Sequence, residues 1–294
     1  MIGREYPWTS VGVIGPGRVG TALGSALVAA GHAVVAVAAR TDSATAVLDR
    51  FVAAVPRAEP MSAARVGQVA DLVLLTVGDD DLVRLARGLA VDDAVRAGTR
   101  WVHTSGRHGA AVLRPIALAG ARVAACHPAQ TFPTPAAGRS ALPGTAWAVT
   151  AAASDRDWAH ALVGVLSGVP VDIREADRVR YHAALSVGAN GTSAVVALAR
   201  DLLLSTGVRA PEEFLAPLVT HAAANAAHHG AAALTGPVRR GDHHTVDAHL
   251  ADLATVLPEA VPAYRALALL ALSYARRAGL DDARADAVHA LLEA

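Results

Sequence analysis

The chain has 294 residues, room for two domains of ordinary size or one large one. It contains no lysine: all 26 basic side chains are arginine, set against 26 Asp and Glu. Schiff-base chemistry on lysine, PLP-dependent catalysis and a Walker-type phosphate lysine are excluded, and the balanced charge leaves no net basic field to hold nucleic acid.

One cysteine, Cys126, has no internal disulfide partner, which suits a reducing compartment. The opening residues MIGREYPWTS lack an apolar signal-peptide run, and no uncharged apolar stretch approaches the ~20 residues that span a bilayer. The expectation is a cytoplasmic protein, away from membranes, with a large core and a buried subunit interface.

From Val11 to about Ile173, short apolar runs alternate with helical patterns. Val11–Ile14, Ala33–Ala38, Leu72–Val77, Arg100–His103 and Arg122–Cys126 are apolar on both faces, as parallel strands covered by helices must be. Thr21–Ala30, Asp81–Leu89 and Asp155–Leu166 read as helices, and Thr145–Thr150 and Val169–Ile173 as two further strands. The rhythm predicts an α/β, doubly wound sheet over residues 1–174. Pro128–Gly144 reads as a loop over the carboxyl edge of that sheet. After Arg174 the strand-like runs stop. Asp177–Ser205, Pro211–His229, Asp242–Val256, Pro258–Ala278 and Asp281–Leu292 predict an all-helical domain over residues 175–294, with Asp242 and Asp281 as N-caps and Gly207 and Gly279 as terminators.

The sharpest motif is Gly15-Pro16-Gly17-Arg18-Val19-Gly20, directly after the first strand and opening a helix. In that setting Gly15 permits a tight turn, Gly17 lets a pyrophosphate approach the backbone and Gly20 lets the helix pack on the strand. The helix N-terminus offers free N–H groups and partial positive charge to phosphates. The second strand ends Ala39-Arg40-Thr41-Asp42-Ser43. Arg40 stands where an NAD enzyme carries an acid, and its guanidinium, with the Thr41 and Ser43 hydroxyls, suits a ribose 2′-phosphate. The cofactor expected is NADP(H); Asp42 on a ribose hydroxyl would instead favour NAD. Val77, closing the third strand, and Ser105, after the fourth, are expected along the same cofactor.

Further segments carry a family likeness. They are His103-Thr104-Ser105-Gly106, His127-Pro128-Ala129-Gln130-Thr131-Phe132, Tyr181-His182-Ala183-Ala184 running on to Asn190, and Ala233 to Asp242 with its Thr235-Gly236-Pro237-Val238-Arg239-Arg240-Gly241 centre. With the glycine turn, the chain resembles over nearly its whole length the bacterial family that joins a Rossmann-like domain to a DUF2520 domain. That family is similar in plan to pyrroline-5-carboxylate reductase, ketopantoate reductase and 3-hydroxyisobutyrate dehydrogenase. The resemblance implies an NADP-dependent oxidoreductase with an N-terminal Rossmann-type domain and a helical C-terminal domain that dimerises. The link of some members to pantothenate synthesis makes ketopantoate the single substrate expectation.

The related dehydrogenases carry a Lys-x-x-x-Asn pattern on the first helix of the second domain. The matching positions here are Ser186 and Asn190, so the lysine is replaced. His182, Ser186, Asn190 and Ser193 fall at i, i+4, i+8 and i+11, one face of a continuous α-helix. Asn190 can donate to a substrate oxygen and His182 can carry a proton. The alternative is a stripe of satisfied contacts at an interface. His127, Ser105 and Gln130 follow strands at their carboxyl ends, where open α/β sheets bind ligands. His127 is a catalytic candidate and Gln130 a substrate contact, while His103, inside its strand, is read as structural. Arg239 or Arg240 can pair bidentately with a substrate carboxylate, a role the resemblance also implies for this loop; Asp242 is assigned with them, its competing role being the cap of the next helix.

The six histidines His221, His228, His229, His243, His244 and His249 show no i,i+4 pair, so no metal is expected. Asp79-Asp80-Asp81 reads as a turn and helix start. Three functions remain open: reduction by NADPH of a small carboxylate-bearing carbonyl compound, a 2-oxo acid above all; reduction of a cyclic imine; and a non-catalytic NADP-binding regulatory or scaffold module. The partners expected are a small-molecule substrate and a second copy of the chain.

Overall fold

The computed structural model describes residues 8–39 and 44–294. The cofactor candidates Arg40, Thr41 and Ser43 lie outside the described residues. The chain forms two compact units, Met1–Ala189 and Asn190–Ala294.

The first unit is built on a sheet of eight strands: β1 (Ser10–Ile14), β2 (Ala33–Ala38), β3 (Glu59–Pro60), β4 (Leu72–Leu75), β5 (Arg100–His103), β6 (Arg122–Pro128), β7 (Ala146–Ala151) and β8 (Val169–Asp172). Their order is β3-β2-β1-β4-β5-β6-β7-β8, with every neighbouring pair parallel except β6 and β7. Alternate residues feed two cores. Val11, Val13, Leu74, Val102 and Cys126 join one, with Leu23 and Leu27 of the helix Arg18–Ala29 and Trp158 of the helix Arg156–Val165. Ile14, Val73, Leu75 and Trp101 join the other, with Val66 of the helix Ala63–Val69 and Leu82, Ala86 and Leu89 of the helix Asp79–Val91. Burial on both sides explains why the central strands carry almost no polar residues.

Several boundaries differ from those the sequence predicts. β4 stops at Leu75, so Val77 lies beyond the strand. β6 continues to Pro128 because His127 and Pro128 pair with Ala148 and Trp147 of β7; His127 therefore sits within the strand end. β3 and the helices Ala44–Ala54 and Ala63–Val69 had no sequence signal strong enough to predict them. The expected Pro128–Gly144 loop contains a helix, Pro135–Ala141, whose first turn is fixed by Thr134 Oγ1 accepting from Ala137 N.

The long helix predicted from Asp177 to Ser205 is α-helical only over Arg178–Leu185 and Thr192–Ser205. A π-helical stretch, Ser186–Gly191, joins them. The wider turn breaks the 3.6-residue register, so the spacing that aligned His182, Ser186, Asn190 and Ser193 on one face does not hold through it. The sequence boundary at 174/175 also falls earlier than the division between units at 189/190. The reason is Arg178, which is 1% exposed and hydrogen-bonded into the first unit.

The second unit is helical throughout. Val246, Leu250, Leu272, Val288 and Leu292 of the helices His243–Val256, Val261–Arg277 and Asp282–Glu293 form its core. Asp242 and Asp281 cap as expected, accepting from Thr245 N and Arg284 N. Leu234–Asp242, expected as a plain connection, includes the one-turn helix Gly236–Arg240. The helices Thr192–Ser205 and Pro211–His229 bury only Pro211, and Phe214 and Leu218 are exposed.

Asp71, just before β4, ties the start of the neighbouring strand β1 to Arg96 in the lead-in to β5. Its carboxylate accepts from Thr9 N and Oγ1, Ser10 N and Oγ, and Arg96. Burial alone would push the carboxyl up, but the bonds from Thr9, Arg96 and Ser10 outweigh it and hold it well below the usual range. A carboxyl depressed in the folded state adds stability above its unfolded pKa and loses it on acidification. Asp71→Asn is expected to lower the unfolding free energy by about 1–2 kcal/mol at pH 7, and the gap between the two proteins should close as pH falls from about 5 toward 2. Urea denaturation across that range measures it.

Candidate functional site

The glycine turn stands between β1 and the helix Arg18–Ala29. Gly15 has φ +102°, and a Cβ there would lie 2.8 Å from the Thr76 carbonyl carbon. A Cβ on Gly20 would lie 2.3 Å from the Gly15 carbonyl oxygen, so the helix can start this close to the turn only without a side chain. Gly17 is different: a Cβ there would meet nothing within 4 Å, so the backbone fronts open space. Thr76, which the sequence reading passed over, locks the turn by donating from Oγ1 to the Gly15 carbonyl at 2.6 Å.

A cleft of about 990 Å³ opens in front of this turn, lined by Gly15, Pro16, Gly17, Ala38, Ser62 and Val77 among others. The helix facing it has no acidic residue in its first turn and no side-chain cap among the described residues, which suits its first N–H groups to an anion. These features fit a dinucleotide pyrophosphate. Arg18 is exposed beside the cleft, Val19 packs against the core, and Gly20 serves the turn; none of the three lines the cleft.

A second group of side chains gathers at the carboxyl ends of β5 and β6. His127 Nδ1 lies 2.8 Å from the Tyr181 hydroxyl, and the His182 ring stands edge-on to His127 with centroids 6.1 Å apart. Both imidazoles close over Gly106, where a Cβ would lie 2.4 Å from His182 Cδ2 and 3.0 Å from His127 Nε2. Beneath them Arg178 donates to Thr150 Oγ1 (2.8 Å), to the carbonyls of Ala125 and Ala148 (both 3.0 Å), and to that of Ser105 (3.4 Å). Its guanidinium lies 6.0 Å from the Tyr181 ring centroid.

Burial pushes His127 down to about 4, helped by the Arg178 and His182 charges, so the ring is neutral at pH 7. Burial pushes the Tyr181 phenol up, while Arg178 draws it back. Cys126, beside them in β6, is raised to about 12 by burial and is an inert thiol. His103 is buried and serves structure. Its Nε2–H donates to the Gly109 carbonyl and its Nδ1 accepts from Ser105 N.

The other candidates fall in different places. Ser105 Oγ accepts from His108 N and closes the turn after β5. Gln130 is exposed and its Oε1 accepts from Thr131 N, a loop contact. Ser186 opens the π-helical stretch, half-buried, and Asn190 is exposed within it. Arg239 and Arg240 line a separate cleft of about 660 Å³ with Thr235, Gly236 and Arg284. Arg239 donates to the Ala278 carbonyl. Asp242 accepts from Thr245 N and Oγ1 with its two carboxylate oxygens, the helix-cap role that competed with a substrate contact. Asp79 and Asp80 pair with Arg107 and Asp81 with Arg84 at a helix N-terminus, so this acidic run is neutralised locally. Among the described residues no group of three or more His, Cys, Asp or Glu is arranged to hold a metal, and no helix is long and apolar enough to cross a membrane.

The sequence reading missed Thr76, Tyr181 and Arg178. A signal for the last two existed: Arg178, Tyr181 and His182 fall at i, i+3 and i+4, one helix face.

Two family models match the chain: a Rossmann-like domain over residues 4–128 and the domain of unknown function DUF2520 over residues 145–271. The protein joins a Rossmann-like domain to a DUF2520 domain. Solved structures share its fold. BF3122 of Bacteroides fragilis, a candidate NADP oxidoreductase, is 24% identical with a TM-score of 0.74, covering 90% of this chain and 98% of that one. An imine reductase of Streptomyces aurantiacus is 19% identical at TM-score 0.59, covering 97% and 93%. An imine reductase of Myxococcus stipitatus, in complex with NADP+, is 16% identical at TM-score 0.57, with the same coverage. No protein of curated function matches the chain in sequence.

Gly106 offers a direct check of the cluster. Gly106→Ala is expected to drive His182 and His127 apart while leaving the sheet intact. Histidine NMR signals at these two rings should shift, with thermal unfolding lowered by no more than about 1–2 kcal/mol equivalent.

Proposed function

We propose that the protein is an NADPH-dependent reductase of a small carbonyl compound bearing a carboxylate, a 2-oxo acid of the ketopantoate kind. The observation that carries this reading is one sheet edge with two halves: an open glycine turn facing a large cleft, and a neutral imidazole and a phenol at the ends of β5 and β6. Bound NADPH would supply a hydride. The glycine turn would hold the pyrophosphate on the free helix N–H groups. Arg40, Thr41 and Ser43 would hold the ribose 2′-phosphate, a reading that rests on their sequence position. Val77 and the turn at Ser105 would border the rest of the cofactor.

The substrate oxygen needs a donor once negative charge develops on it. His127 and His182 stand at the proposed place, and Asn190 and Ser186, in a stretch of π-helix of the kind common at functional sites, are further candidates. Arg239 and Arg240 are proposed to take the substrate carboxylate. The two poorly buried helices Thr192–Ser205 and Pro211–His229 are the proposed seat of a second copy of the chain. A cyclic imine is the second substrate class; imine reductases of the same fold favour it.

Calorimetry should show NADPH bound at least tenfold more tightly than NADH, and Arg40→Asp should erase or reverse that ratio. NADPH oxidation against a panel of 2-oxo acids and cyclic imines, ketopantoate included, identifies the substrate. His182→Ala and Asn190→Ala should each lower kcat by about 10-fold or more with NADPH affinity retained. A protein that binds NADPH but turns over nothing on the panel would be a binding module instead.

A further inference from the structure

Resting on the reductase reading, we infer that Tyr181 is the residue that delivers the proton to the substrate, with His127 refilling it and Arg178 holding both in place. Three observations lead there. The Tyr181 hydroxyl is in hydrogen-bond contact with His127 Nδ1 at 2.8 Å, and the ring is half-buried at the carboxyl edge of the sheet. His127 is neutral at pH 7, since burial, with the Arg178 guanidinium nearby, pushes it to about 4. It is a poor standing acid, whereas a phenol carries its proton across the whole neutral range. Arg178 is a buried cation whose four hydrogen bonds all go to neutral oxygens. A guanidinium buried without a carboxylate partner is costly, and here its charge lies 6.0 Å from the phenol ring, where it favours the phenolate left after proton release.

The charged and titratable groups facing the pair come from two elements: Arg178 and His182 on the helix that carries Tyr181, and Asp79 on the helix after β4. Glu175, on the lead-in to that helix, and Cys126 of β6 act on Arg178. Arg178 acts on both His127 and Tyr181, and Asp79 offsets part of its effect on His127.

The step balances as follows. NADPH, when bound, would be the reductant and supply the hydride that the carbonyl carbon gains, the π pair passing to oxygen. The Tyr181 O–H bond breaks and its proton bonds to that oxygen, giving an alcohol. As His127 Nε2 takes a proton from water, its Nδ1 proton passes to the phenolate, so no imidazolate forms and the water leaves as hydroxide. The net proton comes from solvent. In this scheme the resting imidazole is the Nδ1–H tautomer, donating to the phenol oxygen.

Tyr181 can be tested without cofactor or substrate. Absorbance at 295 nm, as the difference between the unaltered protein and Tyr181→Phe, isolates its ionisation. Arg178→Met should move that ionisation to higher pH. Arg178 ties several segments together, so His127→Gly supplies the second arm. Turnover should fall about 10-fold or more and be restored in part by free imidazole, a rescue that a packing role would not show. Tyr181→Phe should lower kcat by about 10²-fold or more with NADPH affinity and KM within a fewfold, and the basic limb of the pH profile should disappear. Full turnover in Tyr181→Phe, with activity lost in His182→Ala, would overturn the inference and make His182 the donor. An unaltered protein that binds no NADPH, or oxidises it with no compound of the panel, would overturn the reductase reading itself and the inference with it.

Discussion

Arg178 holds together the parts from which the candidate site is made. Its guanidinium reaches the carbonyls of Ala125 on β6 and Ala148 on β7, the Thr150 hydroxyl, and the carbonyl of Ser105 after β5. Thr150 passes the link on by donating to the Ile173 carbonyl. Five donors in a rigid fork can satisfy several carbonyls from one point, which a lysine ammonium cannot do with the same geometry. The helix Arg178–Leu185 is thereby anchored to the sheet at its first residue, and Tyr181 and His182, one turn along, are carried to His127.

The absence of side chains matters as much as their presence. Gly15, Gly20 and Gly106 each stand where a Cβ would collide with backbone or with a ring at less than 3.0 Å. The first two let a helix begin against the end of β1 with no side-chain cap on its first turn among the described residues. The third lets two imidazoles meet. Gly17 meets nothing, so its value lies in the space it leaves for a ligand.

The missing lysine sharpens this picture. The resemblance points to enzymes that use a lysine where this chain has Ser186, and Ser186 opens a π-helical stretch instead. The cluster one turn earlier offers a phenol and two imidazoles in its place.

Much was legible in the residues themselves. The alternation of two-sided apolar runs with helical patterns determined the parallel sheet, because only strands buried on both faces are apolar throughout. The Gly15–Gly20 spacing after β1 located the dinucleotide turn, because local sterics leave few residues able to make it. Asp242 and Asp281 read as caps for an equally local reason. What tertiary structure decided is what depends on distant segments meeting. His127 entered a strand because β7 pairs with it from 21 positions away in the chain, Ala148 opposite His127. The π-helical stretch rewrote the face on which Asn190 lies. Arg178, one arginine among 26, became the anchor of the site only because four neutral oxygens from separate segments converge on it. Sequence periodicity reports which way a residue points within its own element; it carries no record of which carbonyl from another element will be waiting there.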